Sequence, residues 1–152
     1  MPENILLILL LSMAPISELR GALPVALASG MEPLWALLFC VACNLIPVPF
    51  IVLFCRKVFE WMEKRGGFLK KVVDWLENHV RKKADVYYKY ELLGLFVLVA
   101  IPLPGTGAWT GALLASVLNI RLKNCFPVIA LGVLTAGLIV LAVSMGAIAA
   151  FF

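Results

Sequence analysis

The sequence predicts an all-α integral membrane protein built from two inverted repeats, each a re-entrant helical hairpin followed by a transmembrane helix, joined by amphipathic cytoplasmic helices. Three observations predict it. The chain of 152 residues is 63% hydrophobic and 14% charged, with a mean hydropathy of +1.02, more apolar surface than a soluble domain of this length buries, so the bilayer is its solvent. Two of its apolar stretches are interrupted at their centres by proline and glycine, where a plain crossing helix would forfeit backbone hydrogen bonds. Of the thirteen Lys and Arg residues, ten lie between Arg56 and Lys89, which marks that segment as cytoplasmic by the positive-inside rule.

Four apolar blocks can be traced, over residues 5–29, 34–54, 92–118 and 126–152, each long enough to span about 30 Å as a helix. They divide one membrane domain into a first repeat (1–55), a basic amphipathic segment (56–91) and a second repeat (92–152). The chain opens on Met1-Pro2-Glu3-Asn4, with an acid where a signal peptide carries basic residues and no small-residue cleavage site after the apolar core, so the first block is expected to be retained. That block breaks around Pro15 and Pro24. The second carries Asn44 just before Ile46-Pro47-Val48-Pro49, with Pro47 interrupting the helix.

In the basic segment, Leu69, Val72, Val73, Leu76 and Val80 follow helical spacing. Gly66-Gly67 is expected to split the segment into two short amphipathic helices whose Trp61, Trp75, Tyr87, Tyr88 and Tyr90 suit the headgroup layer. The third block breaks at Pro102 and Pro104, and a half-helix is expected to begin near Trp109. The fourth is continuous.

The halves match when Gly21-Ala22-Leu23 is placed over Gly111-Ala112-Leu113, a shift of about ninety residues that aligns a broken block, a short polar connection and a continuous block in each. Four plain crossings would put Arg121 and Lys123 opposite the basic segment, against the positive-inside rule. If each broken block is a hairpin reaching mid-depth, residues 55–91 and 119–124 share the cytoplasmic side while Glu3 and Glu32 lie outside. A limb of about twelve residues rises about 18 Å, enough for the purpose.

Glu18 and Arg20 are the ionisable residues inside the apolar blocks, away from their ends. Charges at mid-membrane cost roughly 2.5–3.5 kcal/mol each on insertion scales, so something must offset them. The functional reading gives Glu18 a protonatable role and lets Arg20 bind an anionic group bidentately, with Ser17 beside them. The plain alternative is that the two pair, or that Glu18 caps a half-helix started at Ser17. The second break offers backbone chemistry: Gly105 and Gly107 permit positive φ and close approach, Thr106 and Thr110 bring hydroxyls, and the free N–H groups of a half-helix suit a phosphate or carboxylate. A tight glycine-rich turn packed on the opposing hairpin is the alternative. Trp109 either stacks on a substrate or fills the core, and Asn44 contacts either substrate or freed backbone.

Cys40, Cys43, Cys55 and Cys125 read as small packing residues, since no second Cys or His pair completes a zinc site. The lone His79 sits in the basic segment, and no triad, metal-ligand or Walker pattern accompanies it. No enzyme activity, cofactor or metal is expected.

On Ser17-Glu18-Leu19-Arg20-Gly21-Ala22-Leu23-Pro24 and Pro102-Leu103-Pro104-Gly105-Thr106-Gly107-Ala108-Trp109-Thr110-Gly111-Ala112-Leu113, the chain resembles the bacterial and archaeal small multidrug export family, and more distantly the DedA group. The latter resemblance implies two opposed re-entrant hairpins, an acid in the first of them, matched by Glu18, and proton-driven transport or scrambling of lipid carriers. DedA proteins carry arginines in the second hairpin, whereas this chain has none from Pro102 to Leu113.

The expectation is therefore a small, proton-coupled secondary transporter of the prokaryotic inner membrane. It moves an anionic or amphiphilic substrate, a lipid phosphate or drug-like molecule, among membrane lipids and without nucleic acid. A homodimer is expected, using small residues such as Gly132, Gly137, Ser144 and Gly146 for helix contact. A passive lipid scramblase and a noncatalytic membrane scaffold are the rivals.

Overall fold

The computed structural model describes residues 4–102 and 106–151; the side chains of Leu69, Val73, Leu76, Glu77 and residues 79–89 lie outside the description. Expectations placed on Pro104, Gly105, His79, Tyr87 and Tyr88 therefore fall outside the described residues, as do those on most of the amphipathic face.

The described chain is helical throughout: α1 (Ile5–Met13), α2 (Glu18–Ala28), α3 (Pro33–Leu45), α4 (Pro47–Arg65), α5 (Phe68–Ala100), α6 (Ala108–Val117) and α7 (Leu122–Phe151). Helices α3 and α4 run on as one rod over Pro33–Arg65, with Ile46 between them in α-helical conformation (φ -56, ψ -48) and Pro47, which needs no N–H at a first helical position, opening α4. This rod and α7 are long and apolar enough to cross a membrane, with mean hydropathies of 2.5 and 2.6. By contrast α1, α2 and α6, of 9, 11 and 10 residues, are about 14–17 Å long, half of a ~30 Å hydrocarbon core.

Leu34, Trp35, Phe50, Phe54, Leu131 and Val143 are all exposed on the outer surface. Such a surface belongs in lipid rather than water. Inside, the bundle is packed through small residues. Leu19, Ala22, Leu23 and Ala26 of α2 are buried, and so are Ala108, Gly111, Ala112 and Ala115 of α6. Both sets follow the i, i+3, i+4, i+7 spacing of one helix face.

These two faces stand 89 residues apart, and the repetition extends further. α2 ends with the Met31 N–H on the Ala26 carbonyl around Gly30 (φ 81), and α6 ends with the Ile120 N–H on the Ala115 carbonyl around Asn119 (φ 56). Both are Schellman turns with a left-handed residue past the helix end. The next helices start at Pro33 and Leu122, again 89 apart. The contacts pair off too: α1 with α2 and α5 with α6, α2 with α3 and α6 with α7, α1 with α3 and α5 with α7.

Several expectations are corrected. The buried faces repeat at 89 residues, not at the ninety that the matching Gly-Ala-Leu triplets suggest, so Glu18 stands over Gly107. The basic segment is not two short separate helices. Gly66 and Gly67, both at positive φ, do break the chain, but α4 runs into the segment from one side and α5 runs out of it into the third apolar block. Pro24 does not break α2, which continues to Ala28; it is exposed and only removes the N–H that the Arg20 carbonyl would accept. Gly107 has φ 174, extended rather than left-handed. Gly132 and Gly137 are buried inside the chain, where an added Cβ would press on Val99 or on Leu37 and Leu19, and so are not open to a second copy.

Candidate functional site where the two breaks meet

The interruption between α1 and α2 and the one between α5 and α6 lie against each other. Around Pro15 the chain turns through Ala14–Ser17, and the Ser17 hydroxyl donates to the Leu11 carbonyl at 2.8 Å. Ser17 thus marks the start of α2 without capping it; its oxygen satisfies the end of α1 instead. Glu18 follows in the left-handed region, at φ 48, a conformation that disfavours any side chain with a Cβ.

That conformation accompanies a carboxylate aimed across the bundle. Glu18 is 6% exposed, and its carboxylate accepts the backbone N–H of Trp109 at 3.4 Å. It therefore sits at the N-terminus of α6, where free amides and the helix dipole favour negative charge. Glu18 does cap a half-helix, but the opposing one. Close approach needs Gly107, because a Cβ there would overlap the carboxylate.

Arg20 also reaches across. Its guanidinium donates to the Ile101 carbonyl at 2.8 Å and to the Thr106 hydroxyl at 3.2 Å, while Thr106 donates to the same carbonyl at 2.9 Å. One arginine thereby ties down the last carbonyl before Pro102. The Trp109 indole N–H donates to the Met13 carbonyl at 3.1 Å, so this half-buried ring latches α6 to the end of α1. Thr110 lies in the first turn of α6, half-buried.

Two spaces open on this junction. A cleft of ≈ 350 Å³ is lined by Pro15, Ile16, Ser17, Glu18, Arg20, Gly21 and Pro102, and Ile16 at its lip is 96% exposed. A smaller space of ≈ 10 Å³ is lined by Glu18 and Arg20 again, together with Asn44 of α3 and Val133 of α7. Asn44 is 2% exposed, and its side-chain oxygen has no hydrogen-bond partner. The sequence-predicted residues Ser17, Glu18, Arg20, Asn44, Thr106, Gly107 and Trp109 are thus brought together. Pro47, at the α3–α4 junction, and Pro24, on the exposed side of α2, line neither space.

Sequence reasoning missed the carbonyls of Ile101 and Met13, which bear no signature because every residue has a carbonyl. It also missed Arg56, whose guanidinium donates to the Ile120 carbonyl. That contact brings the start of the basic segment to the α6–α7 turn, so Arg56 and Arg121 lie at one end of the bundle. Among the described residues no cluster of His, Cys, Asp or Glu could hold a metal ion.

A family model described as "putative small multi-drug export protein" matches residues 18–139. The chain belongs to that family. No curated protein and no solved structure matches it. The small multidrug export match starts at Glu18 and spans the α2 face, Asn44, the second break and most of α7. With the two long apolar helices it describes a multi-pass membrane protein of an export family.

Proposed function

We propose that this small multidrug export protein is a proton-coupled secondary transporter whose substrate meets Arg20 and the N-terminus of α6 between two opposed re-entrant hairpins. The observation that carries this reading is the Glu18 carboxylate lodged at the start of α6, in the wall of an open cleft. An anionic headgroup entering the cleft seeks the same donors that Glu18 occupies, the α6 amides and the Arg20 guanidinium. Protonating Glu18 releases those donors, so anion and proton load together, which is the requirement for coupling. The apolar lip of Pro15, Ile16 and Pro102 suits the hydrophobic body of an amphiphile.

The half-length of α1, α2 and α6, and the placing of Arg56 beside Ile120, support the hairpin topology. The 89-residue repetition supports its duplication. Twelve of the thirteen basic residues then fall on the cytoplasmic side of the prokaryotic inner membrane. A homodimer would use the small residues Ser144 and Gly146 of α7, where an added Cβ at Gly146 meets nothing within 4 Å.

Reconstituted proteoliposomes test the reading with a fluorescent lipid phosphate and an imposed proton gradient. Wild type should accumulate substrate only with the gradient, Glu18→Gln should lose that dependence, and Arg20→Ala should lose transport at least tenfold. Bidirectional lipid movement indifferent to the gradient would establish the passive scramblase instead. No movement of lipid or drug would leave the scaffold.

A further inference from the structure

The small space that Glu18 shares with Asn44 has a chemistry that the cleft does not explain. Its volume of ≈ 10 Å³ is about one water probe, the threshold at which a polar cavity holds a single molecule. Its polar and charged lining residues are Glu18, Arg20 and Asn44. The Asn44 oxygen is buried without a partner, which is costly for an amide in an apolar interior unless something donates to it. Asn44 has the apolar Val133 as its counterpart 89 residues on, and both line this space, so packing does not require an amide there.

Resting on the proton-coupled reading above, we propose that the space is a water site, and that Asn44 is a positioning residue holding one water against Glu18. Asn44 offers an acceptor, so the water commits one O–H to it and turns its remaining groups to Glu18. When Glu18 is ionised, the second water O–H donates to the carboxylate. When Glu18 carries the proton, its O–H donates to the water oxygen. The carboxyl thus keeps a buried partner in both states, including the state in which it has left the α6 amides to the substrate.

Arg20 is the one other charged side chain lining this space among the described residues. The rest of the lining is uncharged: Leu19 of α2, Val99 of α5, Val133 and Ala136 of α7, and Gly107 and Ala108 at the start of α6; α1 has no titratable side chain over Ile5–Met13.

Two measurements on the full chain test this. A high-resolution map of the wild type should show one water between Glu18 and Asn44; an empty space overturns the site. The near-isosteric Asn44→Leu should fold, lose the water and move the pH profile of transport upward by roughly half a unit to one unit, because the water's bond to the ionised carboxylate is stronger than the one it accepts from the neutral carboxyl. Asn44→Gln, which restores an acceptor, should return the profile toward wild type. An unmoved profile in Asn44→Leu overturns the positioning role. Undiminished gradient-driven transport by Glu18→Gln would instead overturn proton coupling through Glu18, an outcome separate from the fate of the water.

Discussion

At the scale of single residues, the site is a close fit between a left-handed glutamate and a glycine. Glu18 holds φ 48, which costs an L-residue roughly 1–2 kcal/mol, and its carboxylate occupies the room that a Gly107 side chain would need. Two expectations follow from this. Gly107→Ala should destabilise the protein by about 1–3 kcal/mol through overpacking, and should do so much less in a Glu18→Ala background, because the clash is with the carboxylate. Thermal unfolding in detergent of the two single variants and the double variant measures that coupling. Equal costs in both backgrounds would mean the two residues do not meet. Separately, Glu18→Gly should be more stable than Glu18→Ala by about 1 kcal/mol, since both lack the carboxylate and only glycine takes the left-handed conformation freely.

At the scale of helices, the two short limbs α2 and α6 end in the same turn with different residues. Gly30 is at φ 81 and Asn119 at φ 56. Gly30→Ala should therefore cost about 1 kcal/mol, and Asn119→Gly should be neutral or stabilising by a few tenths. Opposite or zero effects at both sites, read from melting curves, would refute the shared cap. The limbs also show what the sequence can carry. Proline and glycine at Pro15, Pro102 and Gly107 locate both breaks, because missing donors and missing Cβ atoms are local properties. Pro24 looked equivalent by composition, yet an exposed proline inside an α-helix forfeits only one hydrogen bond, which the surrounding packing tolerates. The Gly-Ala-Leu triplets stand ninety residues apart and the buried faces of α2 and α6 stand 89 apart, because the first match compares letters and the second compares burial. What Glu18 and Arg20 bind was not legible, since the partners are the backbone N–H of Trp109 and the carbonyl of Ile101, groups that any residue supplies. The continuity of α5 was hidden too, because charge marks where a helix leaves the bilayer but not where it stops.

At the scale of the whole molecule, the open question is how a chain with two long apolar rods and three half-length helices sits in a bilayer. Four plain crossings would require the α1–α2 pair to traverse as one span, although its members pack against each other. Four crossings would also place the basic segment and the α6–α7 turn on opposite faces. The bond from the Arg56 guanidinium to the Ile120 carbonyl speaks against that arrangement. The proposed hairpins, returning to their own side, would put Glu32, before α3, at the far end from Arg121, before α7. The expected outcome is that Glu32→Cys reacts with an impermeant thiol reagent from the periplasmic side of intact cells. Arg121→Cys should react only in inverted vesicles, in a background where Cys40, Cys43, Cys55 and Cys125 are replaced. Arg121 labelled from outside would restore four crossings. Both positions labelled from one side would mean that the two repeats are parallel, and the meeting of α2 and α6 at Glu18 would then need a different topology.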